Sequence, residues 1–211
     1  MKIIDLTHDL CEGMPVYPGT EPPQIKIATT IENDGFEERL LTMFSHTGTH
    51  MDAPCHILKG QKSLSDYDIS EFMGKAVLIN VQNCESIDAE LIMKYADKLR
   101  WASFVVFYSG WDKFWGDERY FQDYPVLTIE ATKILISLKM KAICMDMISI
   151  DPADTETYDN HKLVFAENIL VVENLNNLNK IEQDEFLLSC IPLNIKDGDG
   201  SPIRAFATLE K

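Results

Sequence analysis

The chain has 211 residues, 45% of them hydrophobic, which is enough for one domain with a buried core, and no Pro/Gly/Ser-rich linker divides it. A formal charge of −15, with Asp and Glu scattered along the chain, argues against binding to nucleic acid or an anionic membrane, which requires clustered Lys and Arg; it reads as a solvated surface. No stretch approaches the ~20 apolar residues of a membrane span. Cys11, Cys55, Cys84, Cys144 and Cys190 are odd in number, widely spaced and free of a C-x-x-C pair, which argues against a disulfide framework or a thiolate zinc site and favours a reducing cytoplasm.

Lys2 to Leu6 reads as a first strand. The stretch after it carries Pro15, Pro18, Gly19, Pro22 and Pro23, a loop of fixed shape suited to lie over a pocket, because prolines leave little conformational freedom to lose on ordering. Tyr17 in that loop is a candidate aromatic wall against a substrate, or else packs beneath the loop. His8 reads as a structural or capping residue. Gln24 to Thr30 and Glu38 to Ser45 alternate apolar and polar residues as strands do, and the second is expected to lead straight into His46.

The next stretch, His46-Thr-Gly-Thr-His50-Met-Asp52-Ala-Pro-Cys-His56, gathers three of the five histidines and one acid. Imidazole nitrogen with carboxylate oxygen suits Zn²⁺, Mn²⁺ or Fe²⁺, whereas Ca²⁺ and Mg²⁺ favour oxygen alone. His46, His50, Asp52 and His56 share parity, so an extended chain would point all four one way. Gly48, the two threonines and Pro54 all disfavour a helix here. The zinc-protease helix H-E-x-x-H is excluded as well, since Thr47 stands where its Glu would be. Gly48 can admit a close approach of backbone or substrate. Cys55 lies on the opposite parity and reads as packing.

Ser63 to Gly74 reads as a short helical segment and Ala76 to Val81 as an apolar strand. A helix capped by Ser86 or Asp88 is expected to run to about Leu99, with Ile87, Leu91, Ile92, Tyr95 and Leu99 as its core stripe. Phe104 to Tyr108 is a buried-type strand. The aromatics of Gly110 to Tyr120 are irregularly spaced, a structured loop in which Trp111, Phe114 and Trp115 either wall a pocket or cover the core. Thr128 caps a helix from Ile129 to about Leu138, and Lys141 to Met145 is another strand. Asp146, Ser149 and Asp151 follow it, at positions that face ligands in α/β folds or serve as turn and cap residues. Ile169 to Val172 is an apolar strand closed by Glu173, an acid that needs a charged or hydrogen-bonding partner to offset its desolvation. Phe186 to Ile195 and Ile203 to Leu209 read as closing strands, joined by the turn Lys196-Asp-Gly-Asp-Gly200.

The segment His46 to His56 resembles the hallmark H-x-G-T-H-x-D-x-P, with a further His, of the cyclase-like or bacterial kynurenine formamidase-like family of metal-dependent hydrolases. Val16-Tyr17-Pro18-Gly19, Gly110-Trp111, Ser149-Ile150-Asp151, Glu173-Asn174-Leu175 and Gly200-Ser201-Pro202-Ile203-Arg204 are similar to other stretches of that family, so the resemblance spans nearly the whole chain. It implies an α/β fold of the swivelling β/β/α type, a single domain over 1–211 with mixed sheets and flanking helices, usually a homo-oligomer such as a dimer or tetramer. His161 and Glu173, twelve apart, match the family's second pair of ligands. By resemblance His46, His50, Asp52 and Glu173 hold one metal and Asp52, His161 and Glu173 a second, with both carboxylates bridging. One or two divalent ions are implied, zinc first and manganese as the other choice, with His56 left as the acid/base. Kynurenine-type members carry Trp where this chain has Tyr17.

The implied activity is hydrolysis of a small-molecule amide, formamide, lactam or ester by metal-activated water. A cyclase or dehydratase using the same centre, and a non-catalytic metal- or small-molecule-binding protein on the same scaffold, are the competing readings. The chain carries no phosphate loop, dinucleotide fingerprint or G-x-S-x-G; Tyr108-Ser109-Gly110 lacks the leading glycine.

Overall fold

A computed structural model describes residues 1–209. The strands are β1 (Lys2–Asp5), β2 (Gln24–Thr29), β3 (Glu38–Thr42), β4 (His50–Asp52), β5 (Met73–Asn80), β6 (Ser86–Ile87), β7 (Phe104–Tyr108), β8 (Val126–Leu127), β9 (Ala142–Met145), β10 (Leu170–Glu173), β11 (Glu185–Pro192) and β12 (Gly200–Leu209). The helices are α1 (Ile31–Asp34), α2 (Ala89–Lys94), α3 (Ala96–Leu99), α4 (Ile129–Ser137) and α5 (Asp159–Ala166). The main sheet runs β1-β12-β11-β5-β7-β9-β10-β4, and β4 pairs again with β12. Seven strands therefore close into a barrel within a mixed α/β fold. β5, β7, β9 and β10 are parallel neighbours, as crossover connections require, and the remaining barrel pairings are antiparallel.

Two-residue alternation decides what each barrel strand buries. Phe104 and Val106 of β7, Ala142 and Cys144 of β9, and Leu170 and Val172 of β10 join one core cluster with Met51, Ala205 and Ala207. Their neighbours Val105, Phe107, Ile143, Met145 and Val171 join a second cluster with Ile92, Leu135, Val164 and Phe165 of the helices. The first cluster is the barrel interior, where alanines and Cys144 fit a narrow bore; the second lies between barrel and helices. A strand buried on both faces needs an unbroken apolar run, which is why β7 reads Phe-Val-Val-Phe-Tyr.

The strands at 104–108, 142–145 and 170–173 and the helix capped by Thr128 stand where the periodicity puts them; the Thr128 side chain accepts from the Ala131 amide. Elsewhere the structure differs. Residues 63–74 form two 3₁₀ turns, Leu64–Asp66 and Ile69–Phe72, and the following strand begins at Met73. The expected helix from 86 to 99 has its cap at Asp88 but breaks at Tyr95 into α2 and α3, while Ser86 and Ile87 pair with β8. The closing strands end at Pro192 and begin again at Gly200. β3 stops at Thr42 in a separate exposed hairpin with β2, so it does not carry the chain rigidly into His46. That hairpin and α1 leave Ile27, Ile31, Phe36, Leu40 and Leu41 exposed. Trp111, Phe114 and Trp115 pack on the cluster under the helices. His8 is buried and stacks on Trp115 at 3.9 Å.

All five cysteines are free, and Cys55 packs against the barrel interior. Among the described residues no helix is long and apolar enough to cross a membrane. Because Ile143 is fully buried between barrel and helices, Ile143→Ala should cost about 2–5 kcal/mol in urea unfolding, whereas Trp101→Ala, at an 83% exposed site, should stay within about 0.5 kcal/mol.

Candidate metal centre

The pairing of β4 with β10 builds the centre. Its register sets Asp52 opposite Val171, Met51 opposite Val172 and Glu173 opposite His50. Met51 and Val172 fill the barrel interior. His50, Asp52 and Glu173 therefore share the other side of the sheet, at the strand ends, and all three are buried. The extended stretch covers only 50–52. Gly48 has φ +68°, and Pro54–His56 forms a 3₁₀ turn, so a single extended face from 46 to 56 is not what brings these side chains together. A Cβ at Gly48 would lie 2.9 Å from Leu10 and 3.1 Å from Met14, so its close approach is to the N-terminal loop.

Three imidazoles point at the two carboxylates. His46 Nδ1 is 2.6 Å and His50 Nε2 3.2 Å from Asp52 Oδ1. His50 Nε2 is 3.5 Å from Glu173 Oε2, and His161 Nε2 is 3.4 Å from Glu173 Oε1 and 3.8 Å from Asp52 Oδ2. Each ring is held by its other nitrogen. His50 Nδ1 meets the Gly48 carbonyl at 2.8 Å, His161 Nδ1 meets Asp151 Oδ2 at 2.8 Å, and His46 Nε2 meets Asp199 Oδ2 at 3.0 Å. His161 sits in the first turn of α5, where Asp151 also accepts the backbone N–H groups of Asn160 and His161. His46 lies against Gly200, where any Cβ would come within 2.5 Å of its ring. His56 joins from the 3₁₀ turn, its ring 3.8 Å from that of His46 and its Nδ1 3.6 Å from Asp199 Oδ2.

The electrostatics follow from packing opposite charges in a dry place. Burial disfavours the charged ring of His46, but Asp52 and Asp199 outweigh it and raise its pKa to about 10. His50 and His161 are raised against the same burial penalty, by Asp52 for the first and by hydrogen bonds to Asp151 and Asp52 for the second. Asp52 is lowered despite burial by His46 and His50, whereas Glu173 is raised by burial and by Asp52 beside it. At His56 burial, with His46 and His161 nearby, outweighs the pull of Asp52 and Asp199 and lowers its pKa.

The donor set fits a divalent cation. His46, His50 and Asp52, and separately Asp52, His161 and Glu173, bring one ligand atom each within 4.8 Å of one another. Ring nitrogens aimed inward by acceptors behind them are the arrangement that metal-binding histidines use, and two facing buried carboxylates are what a cation offsets. A cleft of about 580 Å³ opens over this floor, lined also by Tyr17, Thr20, Phe44, Ile57, Ile148 and Tyr158. Trp111, Phe114 and Trp115 are not among its walls. Tyr17 donates its hydroxyl to the Ala153 carbonyl at 2.7 Å, which fixes it at the rim.

The Cyclase family model matches residues 4–152. The chain belongs to the Cyclase family. It is 30% identical to the kynurenine formamidase of Bacillus mycoides over 96% of this chain and 95% of that one. It is 31% identical to an uncharacterized protein of Methanocaldococcus jannaschii over 99% of this chain and all of that one. Isatin hydrolase A from Labrenzia aggregata superposes with a TM-score of 0.90 at 23% identity, covering all of this chain and 94% of that one, a likeness of fold.

Asp199, which reads only as part of a turn, is not singled out by sequence reasoning, although it flanks a stretch that carries the family resemblance. Asp151 is open there between facing a ligand and capping, and the structure places it behind His161. Asn174, in the left-handed region at φ +59°, is another: it donates to the Gly48 carbonyl and accepts from Tyr120 Oη, bracing the acceptor that holds His50. Asp151→Asn should keep the fold, read by circular dichroism, and lower affinity for divalent metal about 10- to 100-fold, read by competition with a chelator.

Proposed function

We propose that the chain is a metal-dependent hydrolase that cleaves the carbonyl C–N bond of a small-molecule amide such as an aryl formamide or a lactam. The observation that carries this reading is the convergence of three oriented imidazoles and two buried carboxylates on the floor of a cleft, with His56 beside them but not aimed at Asp52 or Glu173. The kynurenine formamidase relatives, similar over nearly their whole length, support it.

The ligand set we assign is His46, His50, Asp52 and Glu173 for one ion and Asp52, His161 and Glu173 for a second. Asp52 turns Oδ1 toward His46 and His50 and Oδ2 toward His161, and Glu173 likewise splits its oxygens between His50 and His161, so both carboxylates would belong to either set. The chemistry such a cation would supply is Lewis-acid polarisation of the amide carbonyl and a water pKa brought from ~15.7 toward about 7. Zinc is our first assignment and manganese the second, since nitrogen and oxygen ligands without thiolate accept both.

His56 takes the proton work. Burial keeps its ring neutral near pH 7, so it can accept a proton from the attacking water and return it to the leaving nitrogen, at the cleft wall where both pass. Asp199 Oδ2 lies 3.6 Å from its Nδ1. Tyr17 forms part of the substrate wall. The chain is also proposed to self-associate through the apolar hairpin residues Ile27, Leu40 and Leu41, which light scattering should register as a mass at least twice that of one chain.

His56→Ala should retain its metal by elemental analysis while hydrolysis of an aryl formamide falls at least about 10²-fold. Chelation should abolish turnover of the wild type, and Zn²⁺ or Mn²⁺ should restore it. Metal retained with unchanged turnover in the variant would remove His56 from the mechanism, and turnover unaffected by chelation would sink the metal-dependent reading.

A further inference from the structure

No residue of 109–124 lines the cleft, yet hydrogen bonds tie this segment to the residues that stand behind the cleft floor. Its start is held by Asp146, just past β9: one carboxylate oxygen accepts the Ser109 amide at 2.9 Å and its hydroxyl at 2.6 Å, the other the Gly110 amide at 2.8 Å. Two tyrosines further along carry the remaining ties. Both are buried in the cluster between barrel and helices. Tyr120, in the 3₁₀ turn Glu118–Phe121, packs edge-on against Trp115 and Phe121 with ring centroids 5.1 and 5.6 Å away, and Tyr124 packs edge-on against Trp111 at 6.5 Å. The rings are held in place by these contacts, and beyond bulk each contributes one hydroxyl. Burial pushes both phenols up, so each hydroxyl keeps its proton and acts as a donor.

Each hydroxyl leads to one histidine of the centre. Tyr120 Oη donates to Asn174 Oδ1 at 2.7 Å, with the Asp146 carbonyl a distant second at 3.4 Å. Asn174 Nδ2 in turn donates to the Gly48 carbonyl at 2.8 Å, and that carbonyl meets His50 Nδ1 at 2.8 Å. Two oxygen acceptors do not face one another, so the Gly48 carbonyl turns Nδ2 toward itself and leaves Oδ1 to the tyrosine. Without the phenol proton Oδ1 would be a buried acceptor with no partner, and the amide would gain by turning away from the carbonyl that holds His50. Tyr124 Oη donates to the Asp151 carbonyl at 2.7 Å, while the Asp151 carboxylate accepts the Asn160 and His161 amides and meets His161 Nδ1 at 2.8 Å. Two imidazoles from distant parts of the chain therefore hang on one aromatic segment.

We infer that Tyr120 and Tyr124 are positioning residues for the metal centre, the first fixing His50 through Asn174 and Gly48 and the second fixing His161 through Asp151. The segment 109–124 thereby sets how tightly, and in what geometry, a divalent cation is held. This rests on the metal centre assigned above and adds to it the part of the chain that orients it.

The test compares Tyr120→Phe, Tyr124→Phe and Tyr67→Phe in the full chain, with Co²⁺ as the probe because its visible absorption reports the geometry of nitrogen and oxygen ligands. Each change removes one hydroxyl hydrogen bond and keeps the ring. Tyr67 serves as the control, since its hydroxyl donates at 3.1 Å to the Asn168 carbonyl, which supports no histidine of the centre. Circular dichroism should show the native fold in all three. Tyr120→Phe and Tyr124→Phe should lower Co²⁺ affinity about 3- to 10-fold in competition with a chelator and shift the absorption bands, less than loss of the acceptor behind an imidazole would. Tyr67→Phe should leave affinity and spectrum at wild-type values. If Tyr120→Phe does not fold, Tyr124→Phe decides alone, because its hydroxyl meets a main-chain carbonyl and leaves no side-chain amide unpaired. Wild-type affinity and spectrum in folded Tyr120→Phe or Tyr124→Phe would overturn the inference for that residue while leaving the metal centre standing. Equal losses in all three variants would overturn it as well, reducing the tyrosines to general stability. No uptake of Co²⁺ by the wild type would remove the metal centre itself, and the inference with it.

Discussion

Two carboxylates facing one another in a buried place are the constraint on which the rest of this structure depends. Asp52 and Glu173 come from strands that are neighbours in the barrel and far apart in sequence, and the antiparallel register of β4 on β10 sets them side by side, both buried at the floor of the cleft. Isolated, such a pair would carry a desolvation penalty of several kcal/mol for each ion. The histidines around them are the compensation the chain itself provides, and a divalent cation would complete it. Asp52 and Glu173 respond in opposite directions because His46 and His50 crowd the first, while the second is dominated by burial and by Asp52.

The supports behind the three histidines come from separate parts of the chain. A carbonyl just before β4 holds His50, a residue after β9 holds His161, and the turn before β12 holds His46. Each support is itself fixed: Gly48 O by Asn174, Asp151 by the α5 backbone, and Asp199 by Ser45 Oγ, while its own carbonyl accepts the Ala53 amide. Precision at the floor of the cleft is therefore a property of the closed barrel more than of the His46–His56 stretch. That stretch supplies donors, and the barrel aims them.

This division explains what was legible in the sequence. The density of His and Asp between 46 and 56 is a local signal that points to a metal site, and the apolar runs of β7, β9 and β10 mark the strands around it. His161 and Glu173 are single residues in ordinary surroundings, and only their match to the family pattern marks them. Asp151 lies in a stretch that matches the family but reads equally as a cap, and Asp199 carries no mark of its own, since an acid in a turn looks the same whether it caps a helix or holds an imidazole. The break at Tyr95 is invisible for a different reason: the apolar stripe from Ile87 to Leu99 is compatible with one helix, and Ile92 and Leu99 stay buried although the backbone leaves the helical region at Tyr95, with φ −105° and ψ 3°. The aromatics of 110–120 fit a pocket wall or a core cover equally well by pattern, and Trp111, Phe114 and Trp115 pack on the second cluster.

β12 closes the barrel by pairing along one edge with β11 and along the other with β1 and β4, and the turn before it brings Asp199 and Gly200 against His46. The order of synthesis then matters. On the ribosome every residue of the His46–His56 stretch is made some 150 residues before the segment that fixes its first histidine, so a nascent chain holds metal-binding side chains without a metal site. Placement of His46 is postponed until the segment leading into β12 has been made, and a chain stopped short of Asp199 would carry the motif without the contacts that hold its first histidine.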